Sequence, residues 1–81
     1  MKKVIVLDYE VGNLSSIINS MNSLNIEHIV SDKLTEINKS DTIILPGVGS
    51  FNKTMEIIKK KKLFNPIKNA FKEGKKIVGI C

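Results

Sequence analysis

Eighty-one residues make one domain at most, and a chain this short buries only about 60% of the surface it exposes when unfolded. Hydrophobic residues at 42% and charged residues at 26% describe an ordinary globular chain and exclude a disordered or collagen-like one. The net charge of +5 comes from lysine alone; with no arginine to read bases or phosphates through a planar fork of donors, the lysines read as a solvated surface and nucleic acid is not an expected partner.

Lys2 and Lys3 precede an apolar run of only four residues that Asp8 ends, so no export signal is read. No stretch approaches the roughly 20 apolar residues of a membrane span, and the expectation is a soluble, cytoplasmic protein with no membrane partner. The single cysteine, Cys81, excludes an internal disulfide and a cysteine-based metal cluster. No metal and no cofactor is expected.

In chain order, Val4-Ile5-Val6-Leu7 is a short β-branched run that reads as a strand covered on both faces, the mark of a parallel sheet. Asn13 is placed to cap a helix in which Leu14, Ile17, Ile18, Met21 and Leu24 share one face, and Asn25 is placed to stop it. Residues 26–30 alternate and predict a second strand nearer the sheet edge, with His28 as a half-exposed sheet residue. Residues 31–40 are polar, with Leu34 and Ile37 anchoring a single helical turn. Asp41-Thr42-Ile43-Ile44-Leu45 predicts the third strand, ended by Pro46, which cannot donate to a ladder, and Gly47.

Ser50 then caps a helix with Phe51, Met55 and Ile58 on its buried side and lysines 59–62 at its C-terminus, where cations are favoured. Asn65-Pro66 marks another helix start; Ile67, Ala70 and Phe71 form its apolar face and Gly74 its stop. Ile77-Val78-Gly79-Ile80 predicts a fourth buried strand. The order β-α-β-β-α-α-β implies an α/β fold: a mostly parallel, flavodoxin-like open sheet with helices on both faces. Chemistry in such sheets gathers at the carboxyl ends of the strands.

Three segments fall there: 8–13 after the first strand, 46–49 after the third, and Cys81 after the fourth. Gly79-Ile80-Cys81 is the front half of a nucleophile elbow, in which a sharp strand-to-helix turn presents the attacking group at a helix N-terminus that favours the thiolate. Taken alone, the tripeptide fits a buried, unreactive cysteine as well. Pro46-Gly47-Val48-Gly49 has the flexibility to turn a backbone N–H toward an oxyanion, as acyl transfer from an amide requires. A phosphate loop is excluded, because the Gly-x-Gly-x-x-Gly pattern fails at its last position and no Walker sequence exists.

Taken together, Leu45-Pro46-Gly47-Val48-Gly49-Ser50-Phe51, Leu63-Phe64, Gly74, Ile77-Val78-Gly79-Ile80-Cys81 and Asp8-Tyr9-Glu10-Val11-Gly12-Asn13-Leu14 resemble the amino-terminal half of the glutaminase subunits of imidazole glycerol phosphate synthase, in the class I glutamine amidotransferase family. The resemblance covers essentially the whole chain and makes residues 1–81 the N-terminal portion of one amidotransferase domain. It implies that Cys81 attacks the side-chain amide of glutamine, forming a glutamyl thioester and releasing ammonia. Val48, within the loop Pro46, Gly47, Val48, Gly49, is implied to give its N–H to the oxyanion after a peptide flip. The loop Glu10, Val11, Gly12, Asn13 is implied to face a (β/α)8-barrel cyclase that receives the ammonia, in a heterodimer serving histidine biosynthesis.

The family pattern has glycine at the position of Glu10, which leaves open an amidotransferase subunit feeding another synthase, such as one in a surface-sugar pathway. A non-catalytic flavodoxin-like binding module is a further reading, and nucleic-acid binding through lysines 59–62 the last. The family's general-base histidine and the carboxylate that orients it lie well beyond the nucleophile, and His28, on an early strand, is no substitute. An attacking thiol without its base is poorly activated, so these 81 residues alone are expected to be inactive.

Overall fold

A computed structural model of the chain describes residues 3–9, 14–47 and 50–80. Its elements run β1 (Val4–Leu7), α1 (Leu14–Ser23), β2 (Ile29–Ser31), α2 (Leu34–Lys39), β3 (Thr42–Pro46), α3 (Phe51–Lys60), α4 (Phe64–Lys72) and β4 (Lys76–Ile80). All strand pairs are parallel, in the order β2-β1-β3-β4. The β-branched run of β1 forms the centre of this sheet, and Ile5, Val6 and Leu7 are fully buried.

Alternation along the strands divides the core into two layers. Ile5, Leu7, Tyr9 and Ile43 pack with Ile37 of α2, Ile58 of α3, Ala70 of α4 and Leu63. On the opposite face Val6 and Ile44 pack with Met21, Leu14 and Ile17 of α1. Three helices thus cover one face and one covers the other, as the predicted architecture requires.

Three helices end in the same way. After α1, Ile26 N–H bonds to the carbonyl of Met21 at 2.9 Å and Asn25 N–H to that of Asn22 at 3.1 Å, with Asn25 at φ 56°. After α3 the same pair joins Leu63 to Ile58 and Lys62 to Lys59, both at 3.0 Å, with Lys62 at φ 61°. After α4 it joins Lys75 to Ala70 and Gly74 to Phe71, both at 3.1 Å, with Gly74 at φ 87°. Each is a Schellman closure, in which a left-handed residue turns the chain so that orphan carbonyls are satisfied. Asn25 and Gly74 are the stops expected from sequence; Lys62 is one that sequence does not announce.

Several expectations need correction. The polar stretch 31–40 contains a six-residue helix, α2, so the order is β-α-β-α-β-α-α-β. Ile37 anchors it at 0% exposure, whereas Leu34 is 52% exposed. β2 begins at Ile29, because Ile26 is used in closing α1, and His28 lies just before the strand, half-buried, with Nδ1 3.0 Å from the Ile26 carbonyl oxygen. α4 begins at Phe64 with Leu63 as its N-cap, two residues ahead of the expected start, although Pro66 still falls in its first turn.

Leu24 and Phe71, placed by periodicity on apolar faces, are each 69% exposed: Leu24 falls after the last residue of α1, and Phe71 lies beyond the seam formed by Leu63, Ile67 and Ala70. The fourth strand is not buried on both faces. β4 is an edge strand, and Val78, in register with Ile44 on the α1 face, is 44% exposed because α1 packs over β1 and β3.

Candidate functional site

The strand order reverses between β1 and β3: from β1 the chain goes out to β2, then returns past β1 to β3 and on to β4. In doubly wound sheets the crevice at this switch point, outside the carboxyl ends of the strands, is where ligands bind. Tyr9 sits at this end of β1 and Pro46 at this end of β3. The predicted residues Pro46 and Gly47 are therefore at the switch point, with Pro46 buried and Gly47 half-buried. Ser50, three residues on, caps α3 by accepting a hydrogen bond from Lys53 N–H at 3.1 Å, so the 46–49 loop leads directly into a capped helix. Both the strand end and the helix start are written in the residue types: a proline at the last position of β3, then a serine that satisfies an orphan donor.

The β3–β4 register pairs Pro46 with Ile80. The backbone that leads to Cys81 thus ends beside the backbone that leads to Val48. Cys81, Val48, Gly49, Glu10, Val11, Gly12 and Asn13, all singled out from sequence, lie outside the described residues.

Sequence reasoning missed Tyr9. It is fully buried, and its hydroxyl donates to the carbonyl oxygen of Pro46, 37 residues away. A signal was available: a phenol directly after a buried strand requires a partner for its O–H once it is covered. On the same loop, Asp8 N–H extends the β1–β2 pairing by donating to the Ser31 carbonyl at 3.1 Å.

His28 lines a cavity of about 720 Å³ with Lys3, Asn22, Glu27 and Glu36. That cavity opens at the amino ends of β1 and β2, the opposite end of the sheet from Pro46, which removes His28 from any part in chemistry at the switch point. Among the described residues no cluster of His, Cys, Asp and Glu could hold a metal ion, and no helix is long and apolar enough to cross a membrane.

An open parallel sheet ordered β2-β1-β3-β4, with a buried proline followed by a half-buried glycine at its switch point, matches the N-terminal part of the flavodoxin-like sheet of a class I glutamine amidotransferase. No family model matches the chain. Among curated relatives, the HisH subunit of imidazole glycerol phosphate synthase from Bacillus cytotoxicus is 45% identical over 78 residues, covering 96% of this chain and 37% of that protein. The same subunit from Lactococcus lactis is 42% identical over all 81 residues, and that from Trichormus variabilis 37% identical over 81, covering 40% and 38% of those proteins. The chain belongs to this family of HisH glutamine amidotransferase subunits. It spans about two fifths of the length of the relatives it matches.

Proposed function

We propose that the chain supplies the nucleophile and oxyanion loop of a glutaminase subunit, which hydrolyses glutamine and passes the ammonia to a cyclase partner making imidazole glycerol phosphate. The Cys81 thiolate adds to the side-chain amide carbon of glutamine, and the oxyanion so formed accepts a hydrogen bond from the Val48 N–H. Collapse of the tetrahedral intermediate breaks the C–N bond, and the nitrogen leaves as ammonia with a proton from the general base. Water then cleaves the glutamyl thioester, releasing glutamate and restoring the thiol. The base and its orienting carboxylate come from the rest of the domain, of which residues 1–81 are the N-terminal portion.

The assembly is a cytoplasmic heterodimer, with the loop Glu10, Val11, Gly12, Asn13 facing the cyclase. The cyclase half gives the complex its lyase chemistry, and neither half needs a metal or other cofactor. The adjacency of Pro46 and Ile80 in the sheet carries this reading, since it leads the two reacting segments off neighbouring strands at the same edge. The shared name of the relatives favours this ammonia acceptor over that of another synthase.

Labelling of the full-length subunit by a glutamine-analogue electrophile tests it. Stoichiometric modification that Cys81→Ser abolishes is the expected result; modification that survives the substitution removes Cys81 from the reaction. The 81-residue polypeptide by itself is expected to release no ammonia from glutamine.

A further inference from the structure

We propose that the outer stripe of α4, with the end of α3 beside it, is a docking surface for an acidic amphipathic helix of a partner protein. Phe64 and Phe71 are its apolar anchors, and Lys59, Lys68 and Lys72 supply its charge.

Charge is unevenly divided along the chain. Residues 50–76, which hold α3, α4 and the entry to β4, contain nine of the 13 lysines and only two of the 8 acidic residues. Residues 1–49 contain four lysines and six acidic residues, so the +5 of the whole chain arises from one region of the fold while the other is net acidic. A field of one sign on one side of a molecule speeds the arrival of oppositely charged surfaces and turns away those of like charge.

The helix gives that charge a pattern. Leu63, Ile67 and Ala70 turn to the core, and Phe64, Lys68 and Phe71 follow one another at spacings of four and three residues on the adjoining stripe, with Lys72 one turn beyond Lys68. Phe64 is 36% exposed and Phe71 69%, and both lysines are exposed. From α3 the Lys59 ammonium lies 5.4 Å from the centroid of the Phe64 ring, which sets a cation against the first anchor.

A lysine face that is merely solvated has no use for two bare aromatic rings on the same stripe. Rings at the centre with charges around them are the anatomy of a protein interface. The two anchors stand seven residues apart, two turns or roughly 10 Å of helix, which is the interval at which a second helix repeats its own apolar face. Carboxylates flanking that face would meet the three lysines. Nucleic acid fits less well, since the chain has no arginine and a lysine is a point charge without a directional fork. A lipid surface needs a broad apolar face, and the apolar seam of α4 is already turned to the core.

The test is a titration of the full-length subunit, carrying 4-fluorophenylalanine at position 71, with a synthetic helical peptide that has leucine on one face and glutamate on its flanks. The fluorine resonance is expected to shift and saturate. Anisotropy of the labelled peptide is expected to report binding ~10-fold or more weaker for the double variant Lys68→Glu, Lys72→Glu and for Phe71→Ser, and within about twofold of wild type for Lys68→Arg. Raising the salt from about 0.05 M to about 0.5 M is expected to weaken binding by ~10-fold, and the same peptide with lysine for every glutamate is expected not to bind.

A flat titration, or wild-type affinity in the charge-reversed variant, overturns the proposal. So does a fluorine signal that a soluble paramagnetic quencher fails to reach before peptide is added, which would show the rest of the subunit covering Phe71. A shift that grows with subunit concentration alone gives the face to a second copy. Tighter binding of a single-stranded RNA or of phosphatidylserine vesicles through the same residues gives it to that ligand, and either result overturns the assignment to an acidic helix.

Discussion

The Lys75 ammonium lies 2.6 Å from the carbonyl oxygen of Ser40, 35 residues earlier in the chain, and 2.5 Å from that of Asn38. These oxygens belong to the end of α2, where the last turn leaves carbonyls without intrahelical partners and the helix dipole favours a cation. Lys75 also heads the approach to β4, so one side chain ties the exit of α2 to the entry of the last strand. Replacing it with methionine keeps the stem and removes the donors. Lys75→Met is expected to cost about 1–2 kcal/mol in chemical denaturation of the full-length subunit, and an unchanged midpoint would show the contact to be idle.

Ser50 offers a second measurement. Its hydroxyl satisfies Lys53 N–H at the start of α3, immediately after the 46–49 loop. Ser50→Ala is expected to lower stability by about 1 kcal/mol and Ser50→Gly by only a few tenths, since glycine tolerates the cap backbone. Equal losses in the two variants would point away from capping.

Ile37 and Leu34 share a helix and a hydrophobic character but not a fate: Ile37 is 0% exposed and Leu34 52%. Ile37→Ala is expected to cost about 2–4 kcal/mol, and Leu34→Ala to fall within about 0.5 kcal/mol of wild type. Urea midpoints of the two variants check the difference. Comparable losses would mean that Leu34 is covered in the full-length subunit.

Lys62 holds a left-handed backbone at φ 61°, a region that costs a side chain roughly 1 kcal/mol and costs glycine nothing. Lys62→Gly is therefore expected to stabilise the subunit by about 0.5 kcal/mol, after the greater freedom of glycine in the unfolded chain is set against the relief. A lower melting temperature in this variant would contradict the Schellman reading of that turn.

These residues also show what was readable in advance. β1 and β3 were legible because β-branched runs bounded by Asp8 and Pro46 fit buried parallel strands, and α1 and α3 because their apolar spacing matched 3.6 residues per turn. Asn25 and Gly74 were legible as stops because their residue types tolerate positive φ. Lys62 was not, since nothing in a lysine run marks one member as left-handed; the closure is imposed by Leu63 returning to the core against Ile58. α2 was hidden by its polar composition and by Lys33, which caps it with no side-chain bond.

The place of Pro46 and Gly47 at the carboxyl end of β3 could be foreseen from the proline and glycine that follow the apolar run. The Tyr9 link could not be placed, because it joins positions 37 apart through a side chain and leaves no periodic trace.

β4 runs along the margin of the sheet, with Val78 bare on one face and one row of amide and carbonyl groups turned outward. Such a margin is a template: any extended segment that meets it can dock by backbone bonding alone, whether it is the intended next strand or a stray neighbour. On the opposite margin β2 is only three residues long and offers little purchase, so self-association of the isolated polypeptide would start from β4, and its solubility would depend on how quickly that margin is occupied.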